Sequence, residues 1–329
     1  MLLWQGPLSA LLALAIGCTA SGSGVASSHG ASLRAADASE AATSSAAPSH
    51  DGGGRSRAAI EYTNIDGQRF PYPLLRVTVN GAPTRMIVDT GASHHVLSLE
   101  FAKRVGARVG RAANAGQGHA GETVKVLSVE TELVIAGWGP APGDVVAVQL
   151  PSVFVELDVG GIVAPAQLAG AGDAVVLDFF EQWLDVAPEA EALAGLSFGG
   201  KLLARCRDCT CLAAATPRYV VQATVAGAAA LLMIDSGVAT TDLSVVSVAG
   251  RRLLPGATRG EKVLTAGGSY IARRRRAELV VGEVKRSLDM HLVPAPERAL
   301  CPRDGVLGMD VLADCRLALG ERLFSARCR

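Results

Sequence analysis

Residues 86–92 read MIVDTGA, and residues 232–238 read LMIDSGV. Each stretch has three apolar residues, an aspartate, a hydroxyl residue and a glycine. We call Asp89-Thr90-Gly91 the first triplet and Asp235-Ser236-Gly237 the second triplet. A carboxylate at the end of an apolar strand is poorly solvated, which is costly unless another group stabilises it. A second aspartate facing the first supplies that group, because two close carboxyls share one proton.

Four further landmarks recur at matching distances from the two aspartates. A glycine lies eight residues before each aspartate, and a Leu-Ser pair follows at eight and nine residues. A strand-like apolar segment ends 48 residues after Asp89 and 47 after Asp235, and a Gly-apolar-apolar element begins 72 and 70 residues after them. The sequence therefore predicts two halves that each contribute one aspartate to a shared acid–base pair, which is the chemistry of an aspartic peptidase.

With these motifs, the chain resembles the pepsin and retropepsin superfamily of aspartic proteases from about Tyr72 to Arg329. The resemblance implies an all-β fold of two retropepsin-like β-barrel lobes, related by a pseudo-two-fold axis, with the active-site cleft between them. It also implies that Asp89 and Asp235 form the catalytic dyad. The implied support comes from the other triplet residues, whose hydroxyls bond across the lobe interface: Thr90, Gly91, Ser236 and Gly237.

A later apolar-apolar-Gly element supports each triplet in that superfamily. The matching residues in the second half are Val306, Leu307 and Gly308, and those in the first half are Gly161, Ile162 and Val163. The first element departs from the pattern, because Ala164 stands where the second half has Gly308.

A glycine-rich stretch lies between each triplet and its later strand, where retropepsins have a mobile hairpin called the flap. The flap candidates are Gly116, Gly118, His119, Gly267, Gly268 and Tyr270. Glycine permits both a tight turn and motion, although an ordinary hairpin turn has the same composition.

Composition agrees with a β-rich exported chain that has two lobes. The 329 residues include 31 basic and 31 acidic side chains, and this zero net charge argues against nucleic acid as a partner. Valine-rich runs broken by glycine predict strands, and one short helix is expected from Ser98 to Val105. We expect lobes at 59–200 and 201–329, preceded by a signal at 1–18 and an Ala/Ser/Gly-rich disordered tether at 19–58.

The N-terminus has the pattern of an export signal. Residues 8–16 are apolar and too short to span a bilayer, and they lead to Ala-Ile-Gly-Cys at 15–18. That tetrapeptide resembles a bacterial lipoprotein signal with Cys18 as the lipidated residue; an ordinary cleaved signal is the alternative. We expect location in the cell envelope or secretion, with the membrane contacted only through this segment. A propeptide role for residues 19–58 stays open.

Six further cysteines lie in the second half: Cys206, Cys209, Cys211, Cys301, Cys315 and Cys328. An even number in an exported chain favours disulfides, and sequence does not choose among their 15 pairings. We expect no metal and no cofactor. His94 and His95 are adjacent, and neighbours on a strand face opposite ways, so they do not form a metal pair.

The resulting hypothesis is an aspartic endopeptidase that cleaves peptide or protein substrates with a water activated by Asp89 and Asp235. Because both aspartates are in one chain, dimerisation is not required, and we expect a monomer. The alternative is a catalytically silent protease fold that binds peptides or has a structural role as an envelope lipoprotein.

Overall fold

A computed structural model of the chain describes residues 57–65, 67–117, 123–194, 198–202, 219–265, 268–294 and 303–329. Most of these residues are in β-strands. The strands up to residue 202 are β1 (Ala58–Glu61), β2 (Asn64–Ile65), β3 (Gln68–Arg69), β4 (Leu74–Val79), β5 (Ala82–Val88), β6 (His95–Ser98), β7 (Arg108–Gln117), β8 (Thr123–Glu130), β9 (Leu133–Ile135), β10 (Gly139–Pro140), β11 (Val145–Val148), β12 (Val159–Val163), β13 (Asp173–Asp178), β14 (Trp183–Pro188) and β15 (Phe198–Leu202).

The remaining strands are β16 (Tyr219–Val225), β17 (Ala228–Ile234), β18 (Asp242–Ser244), β19 (Thr258–Thr265), β20 (Gly268–Val281), β21 (Val284–Val293), β22 (Gly305–Leu307), β23 (Cys315–Leu319) and β24 (Leu323–Cys328). The helices are short: α1 (Leu99–Arg104), α2 (Val153–Glu156), α3 (Glu189–Ala192), α4 (Val248–Leu253), α5 (Met309–Leu312) and a 3-10 turn at Pro165–Gln167. Within the described ranges, none of these helices has the length and apolarity needed to cross a membrane.

A β-hairpin leads into each triplet. Strands β4 and β5 are joined through Asn80 and Gly81, and β16 and β17 through Ala226 and Gly227. All four turn residues have positive φ, at 49° and 80° in the first turn and 48° and 72° in the second. Two positive φ values in a two-residue turn give the backbone twist that suits a hairpin, which explains the glycine eight residues before each aspartate.

The strands that follow each hairpin pair in the same way in both halves. Strand β5 runs parallel to β12, and β6 runs parallel to β11 and antiparallel to β12. In the second half, β17 runs parallel to β22, and β18 runs parallel to β21 and antiparallel to β22. The repeated landmarks of the sequence therefore correspond to repeated strand pairings.

One antiparallel sheet combines strands from both ends of the chain, in the order β1, β14, β13, β23, β24, β15. Its central contact joins β13 to β23, with Val176 opposite Ala318 and Leu177 opposite Leu317. The largest apolar cluster among the described residues contains side chains of this sheet, from Ala58 on β1 to Ala326 on β24. The predicted boundary between residues 200 and 201 falls inside β15, and β1 begins at Ala58, one residue before the predicted start of the first lobe.

The predicted short helix is present as α1, with Ser98 at its N-cap and Gly106 beyond its end at a φ of 69°. Ser98 thus occupies the N-cap position, although its side chain makes no capping hydrogen bond. Several predicted features lie outside the described residues: the signal at 1–18, Cys18, the tether up to residue 56, Gly118, His119, Gly267, Cys206, Cys209, Cys211 and Cys301.

Candidate active site

Each triplet begins at the end of a strand that runs parallel to a neighbouring strand of its own half. Asp89 follows β5 and Asp235 follows β17, and both residues are completely buried. Each aspartate is tied to a neighbouring strand through its backbone: the Asp89 N–H donates to the Val163 carbonyl at 3.0 Å, and the Asp235 N–H donates to the Leu307 carbonyl at 3.1 Å. The predicted supporting elements are thus beside the triplets, with Ile162 opposite Ile87 and Val306 opposite Met233.

The hydroxyls of the two triplets join them through reciprocal hydrogen bonds. The Thr90 N–H donates to Ser236 Oγ at 3.0 Å, and the Ser236 N–H donates to Thr90 Oγ1 at 3.0 Å. Each hydroxyl also donates across the interface, Thr90 Oγ1 to the Ile234 carbonyl at 3.0 Å and Ser236 Oγ to the Val88 carbonyl at 2.7 Å. These four buried bonds join segments 146 residues apart in the chain into one site.

The triplet glycines contact the carboxylates directly. The Gly91 N–H donates to Asp89 Oδ1 at 2.7 Å, and the Gly237 N–H donates to Asp235 Oδ1 at 3.0 Å. A β-carbon added at Gly91 would lie 2.6 Å from Asp235 Oδ2, which is closer than two non-bonded atoms can approach. The first triplet therefore packs against the carboxyl group of the second, and only glycine fits at this position.

The departure at Ala164 has a structural reason. A β-carbon at Gly308 would lie 2.9 Å from the Val238 carbonyl oxygen, so that position requires glycine, whereas Ala164 fits in its buried place. The two backbone N–H groups also have different partners. The Gly308 N–H donates to Thr241 Oγ1 at 3.1 Å, and the Ala164 N–H donates to His95 Nδ1 at 3.1 Å.

Asp310 completes the surroundings of Thr241. It accepts the Thr241 hydroxyl at 2.6 Å and the Thr241 N–H at 2.9 Å. Burial raises the pKa of Asp310 to about 6, although the hydrogen bonds from Thr241 act in the opposite direction; the charge of Asp242 adds to the increase. The sequence analysis did not identify this carboxyl, because Asp310 sits next to the supporting glycine without a counterpart in the first half, where residue 166 is alanine.

Tyr72 is a second residue that the sequence analysis did not select. Its side chain is buried, and its hydroxyl has no hydrogen-bond partner among the described residues. Burial raises the pKa of Tyr72 far above its usual range, and the charges of Asp235 and Asp89 raise it further. The phenol therefore stays protonated as a hydrogen-bond donor in the electrostatic field of both carboxyls. No spacing or motif marks this tyrosine in the sequence.

Two long hairpins pack beside the triplets. Strands β7 and β8 pair with Gly116 opposite Val124, and Val124 belongs to the apolar cluster that contains Ala92, the residue after the first triplet. Strands β19 and β20 pair with Gly268 opposite Thr265, and Tyr270 packs against the cluster that contains Val238, the residue after the second triplet. The flap candidates inside the described residues thus lie on hairpins that pack against the site.

The two adjacent histidines have different surroundings. His95 is completely buried and His94 is partly exposed, with its Nδ1 3.0 Å from Ser93 Oγ. In the part of the chain that the structure describes, no group of three or more His, Cys, Asp or Glu side chains could hold a metal ion.

Cys315 and Cys328 form a disulfide, as partners directly opposite each other on β23 and β24. Of the six candidate cysteines, these two are therefore identified as a disulfide pair. The bond joins two strands of the sheet that both halves share, so it stabilises the sheet rather than the site.

Residues 75–164 match a protein-family model described as aspartyl protease. The match supports a retropepsin-like aspartyl protease family for this segment. The match begins in β4, includes the first triplet and ends at Ala164, so it covers the whole first half-site. The protease family implies a peptide substrate. No curated protein matches the chain.

Proposed function

We propose that the protein is an aspartic endopeptidase with Asp89 and Asp235 as its catalytic dyad. The observation that carries the proposal is the reciprocal hydrogen bonding between Thr90 and Ser236, because it brings a second Asp-hydroxyl-Gly triplet against the family-matched one. The repeated strand pairings support two retropepsin-like lobes related by a pseudo-two-fold axis, with the dyad between them.

The proposed reaction is general acid–base hydrolysis. The ionised carboxyl of the pair takes a proton from a water molecule, which attacks the peptide carbonyl, while the protonated carboxyl donates to the carbonyl oxygen. When the C–N bond of the tetrahedral intermediate breaks, the carboxyl that took the proton from water donates it to the leaving nitrogen, and the other carboxyl takes back a hydroxyl proton. No covalent enzyme intermediate forms. The Gly91 and Gly237 N–H groups each donate to one oxygen of a carboxylate and so fix the orientation of that carboxyl group.

Both carboxyls are completely buried, so a substrate reaches them only after covering residues move. The β7–β8 hairpin is suited to this role, since it packs on the cluster around Ala92 and leads to the glycine-rich stretch predicted as a flap. Partly exposed apolar side chains pack against the clusters beside the triplets, including Ala239 and Tyr270. We therefore propose peptides with apolar residues around the scissile bond as the substrate class.

The test is cleavage of a peptide library, rich in apolar pairs, by the oxidised protein with and without pepstatin. The matched variants are Asp89→Asn and Asp235→Asn, which keep the size of each side chain but cannot supply an ionised carboxyl. If the wild type cleaves peptides and neither variant does, the result supports Asp89 and Asp235 as the catalytic dyad. Equal cleavage by wild type and either variant would refute it, and complete inertness of all three would favour the silent peptide-binding fold.

We also propose that the protein is exported to the cell envelope. The disulfide between Cys315 and Cys328 supports this location, because such bonds persist in oxidising compartments. The apolar residues 8–16 followed by Cys18 support lipid attachment. Labelled fatty acid should enter the wild-type chain but not the Cys18→Ser variant; label in both would exclude lipidation at Cys18.

A further inference from the structure

His95 connects three parts of the first half-site through its two ring nitrogens. Nδ1 accepts the Ala164 N–H at 3.1 Å, and Nε2 lies 2.9 Å from the Pro142 carbonyl oxygen. Because a backbone N–H only donates and a carbonyl only accepts, these contacts require the neutral tautomer with its proton on Nε2. His95 itself begins β6, six residues after Asp89.

The hydrogen bond from Ala164 to His95 affects the first triplet because Val163, the residue before Ala164, is bonded to Asp89. Val163 is the last residue of β12, and its carbonyl accepts the Asp89 N–H at 3.0 Å. His95 thus holds the peptide unit that joins Val163 to Ala164, and that unit holds the backbone of Asp89. The imidazole acts on the carboxyl only through this backbone, so it is a positioning residue.

Protonation of His95 would break this connection. A second proton on the ring occupies Nδ1, which then faces the Ala164 N–H as donor against donor, and the ring gains a charge in a fully buried place. The titratable groups that face the ring are His94, just before β6, and Asp144, just before β11. Burial lowers the pKa of His95 below its usual value; the Pro142 carbonyl and Asp144 oppose this shift, and His94 adds to it.

The second half-site does the same task without a titrating ring. Thr241, six residues after Asp235, accepts the Gly308 N–H at 3.1 Å through its hydroxyl. Gly308 follows Leu307, whose carbonyl accepts the Asp235 N–H. The Thr241 hydroxyl does not itself titrate, and it donates to Asp310, whose pKa is raised to about 6. A protonated Asp310 still offers its carbonyl oxygen to this hydroxyl, whereas a protonated His95 has no acceptor left for the Ala164 N–H.

We propose that His95 positions the first triplet only as a neutral imidazole, so that its protonation sets the acid limit of proteolysis. This inference rests on the proposed peptidase function. As the pH falls, the hydrogen bond between His95 and Ala164 breaks before both carboxyls of the dyad are protonated. The enzyme then loses activity while the dyad still shares one proton.

The decisive variant is His95→Asn, which replaces Nδ1 by an amide oxygen that does not titrate in this range. We expect the acid limb of kcat/KM, measured between about pH 3 and pH 8, to move to lower pH by about one unit or more. His95→Leu removes the acceptor and should lower kcat/KM at every pH by about 10- to 100-fold. His94→Asn is the matched control, because its ring does not hold Ala164. Since His94 lowers the pKa of His95, the acid limb of this variant should stay in place or move to higher pH, opposite to that of His95→Asn.

A second measurement does not need activity. Long-range proton–nitrogen NMR of the wild-type histidine rings should show His95 with its proton on Nε2 and titrating below the usual histidine range. A ring that titrates normally, or carries its proton on Nδ1, would overturn the proposal whether or not the chain is a protease. If cleavage depends on Asp89 but the acid limb stays unchanged in His95→Asn, this inference fails while the proposed function stands. If no cleavage depends on Asp89, the proposed function fails, and with it the acid limit.

Discussion

The hydrogen bonds between the triplets should make two hydroxyls unusually important for stability. Replacing Thr90 by valine keeps the shape of the side chain but removes Oγ1, which accepts from the Ser236 N–H and donates to the Ile234 carbonyl. Both backbone groups are then left without a partner in a buried site. Each orphaned group costs about 1–3 kcal/mol, and the variant gains back part of this by losing a hydroxyl, so we expect a net loss of about 2–4 kcal/mol.

Ser236→Ala removes the corresponding pair of bonds, to the Thr90 N–H and the Val88 carbonyl, and should cost a similar amount. No hydrogen bond joins the two hydroxyls to each other. Their effects on stability are coupled only because each hydroxyl helps to hold the two triplet segments together. Once one hydroxyl is lost, the other is held less well, so the double variant should lose at least about 0.5 kcal/mol less than the sum of the single variants.

The chain provides a matched control in Ser325, whose buried hydroxyl has no hydrogen-bond partner among the described residues. Ser325→Ala should change the free energy of unfolding by less than about 0.5 kcal/mol, or stabilise the protein slightly. The assay is equilibrium unfolding of the oxidised full chain in urea, with Thr90→Ser as a variant that keeps the hydroxyl. The reasoning would be refuted if Thr90→Val cost no more than Ser325→Ala, or if Thr90→Ser cost as much as Thr90→Val.

Three other predictions concern the surroundings of the dyad. Gly91→Ala puts a carbon 2.6 Å from Asp235 Oδ2 and should abolish cleavage, whereas Gly170→Ala, on the surface, should not change the rate; equal activity of the two would contradict the packing. Tyr72→Phe removes a buried hydroxyl without a partner, so calorimetry should show unchanged or increased stability, and a loss above about 1 kcal/mol would reveal a missed bond. Because the pKa of Asp310 is raised to about 6, this carboxyl stabilises the fold at low pH and loses that contribution as pH rises from 3.8 through 6. Asparagine offers one acceptor where Asp310 offers two to Thr241, so the variant has its own cost, but it does not titrate. The stability of Asp310→Asn relative to wild type should therefore rise by about 1–2 kcal/mol between pH 4 and pH 7, and unfolding curves at both pH values test this.

The sequence predicted those parts of the fold that depend on local rules and on the repeat. The glycines at positions 81 and 227 predicted hairpin turns, and the alternating residues before them predicted β4 and β16. The repeat also identified which late segments lie beside the triplets, because Val163 and Leu307 occupy matching places after their aspartates. These features recur twice, and their recurrence made the pattern visible in one chain.

Other parts depend on contacts between distant segments, and no local pattern records them. The pairing of β13 with β23 joins residues about 140 positions apart, and it merges strands of both halves into one sheet. The pairing of Cys315 with Cys328 follows from their register on β23 and β24. Tyr72 was missed for the same reason: its environment is created by two carboxyls that come near it only in the folded protein.

The comparison of the two half-sites shows why an imperfect repeat carries more information than a perfect one. Where the second half has Thr241 and Gly308, the first has His95 and Ala164. Thr241 accepts the Gly308 N–H and His95 accepts the Ala164 N–H, and these two N–H groups occupy corresponding positions in the two halves. A change of the acceptor from hydroxyl to imidazole keeps the hydrogen bond but makes it dependent on protonation. In the proposed dyad the two carboxyls share one proton, and a support that depends on an imidazole on one side makes the two aspartates unequal. The asymmetry at His95 therefore gives the two half-sites different responses to acid: protonation removes the acceptor of the Ala164 N–H in the first, and it leaves the acceptor of the Gly308 N–H in place in the second.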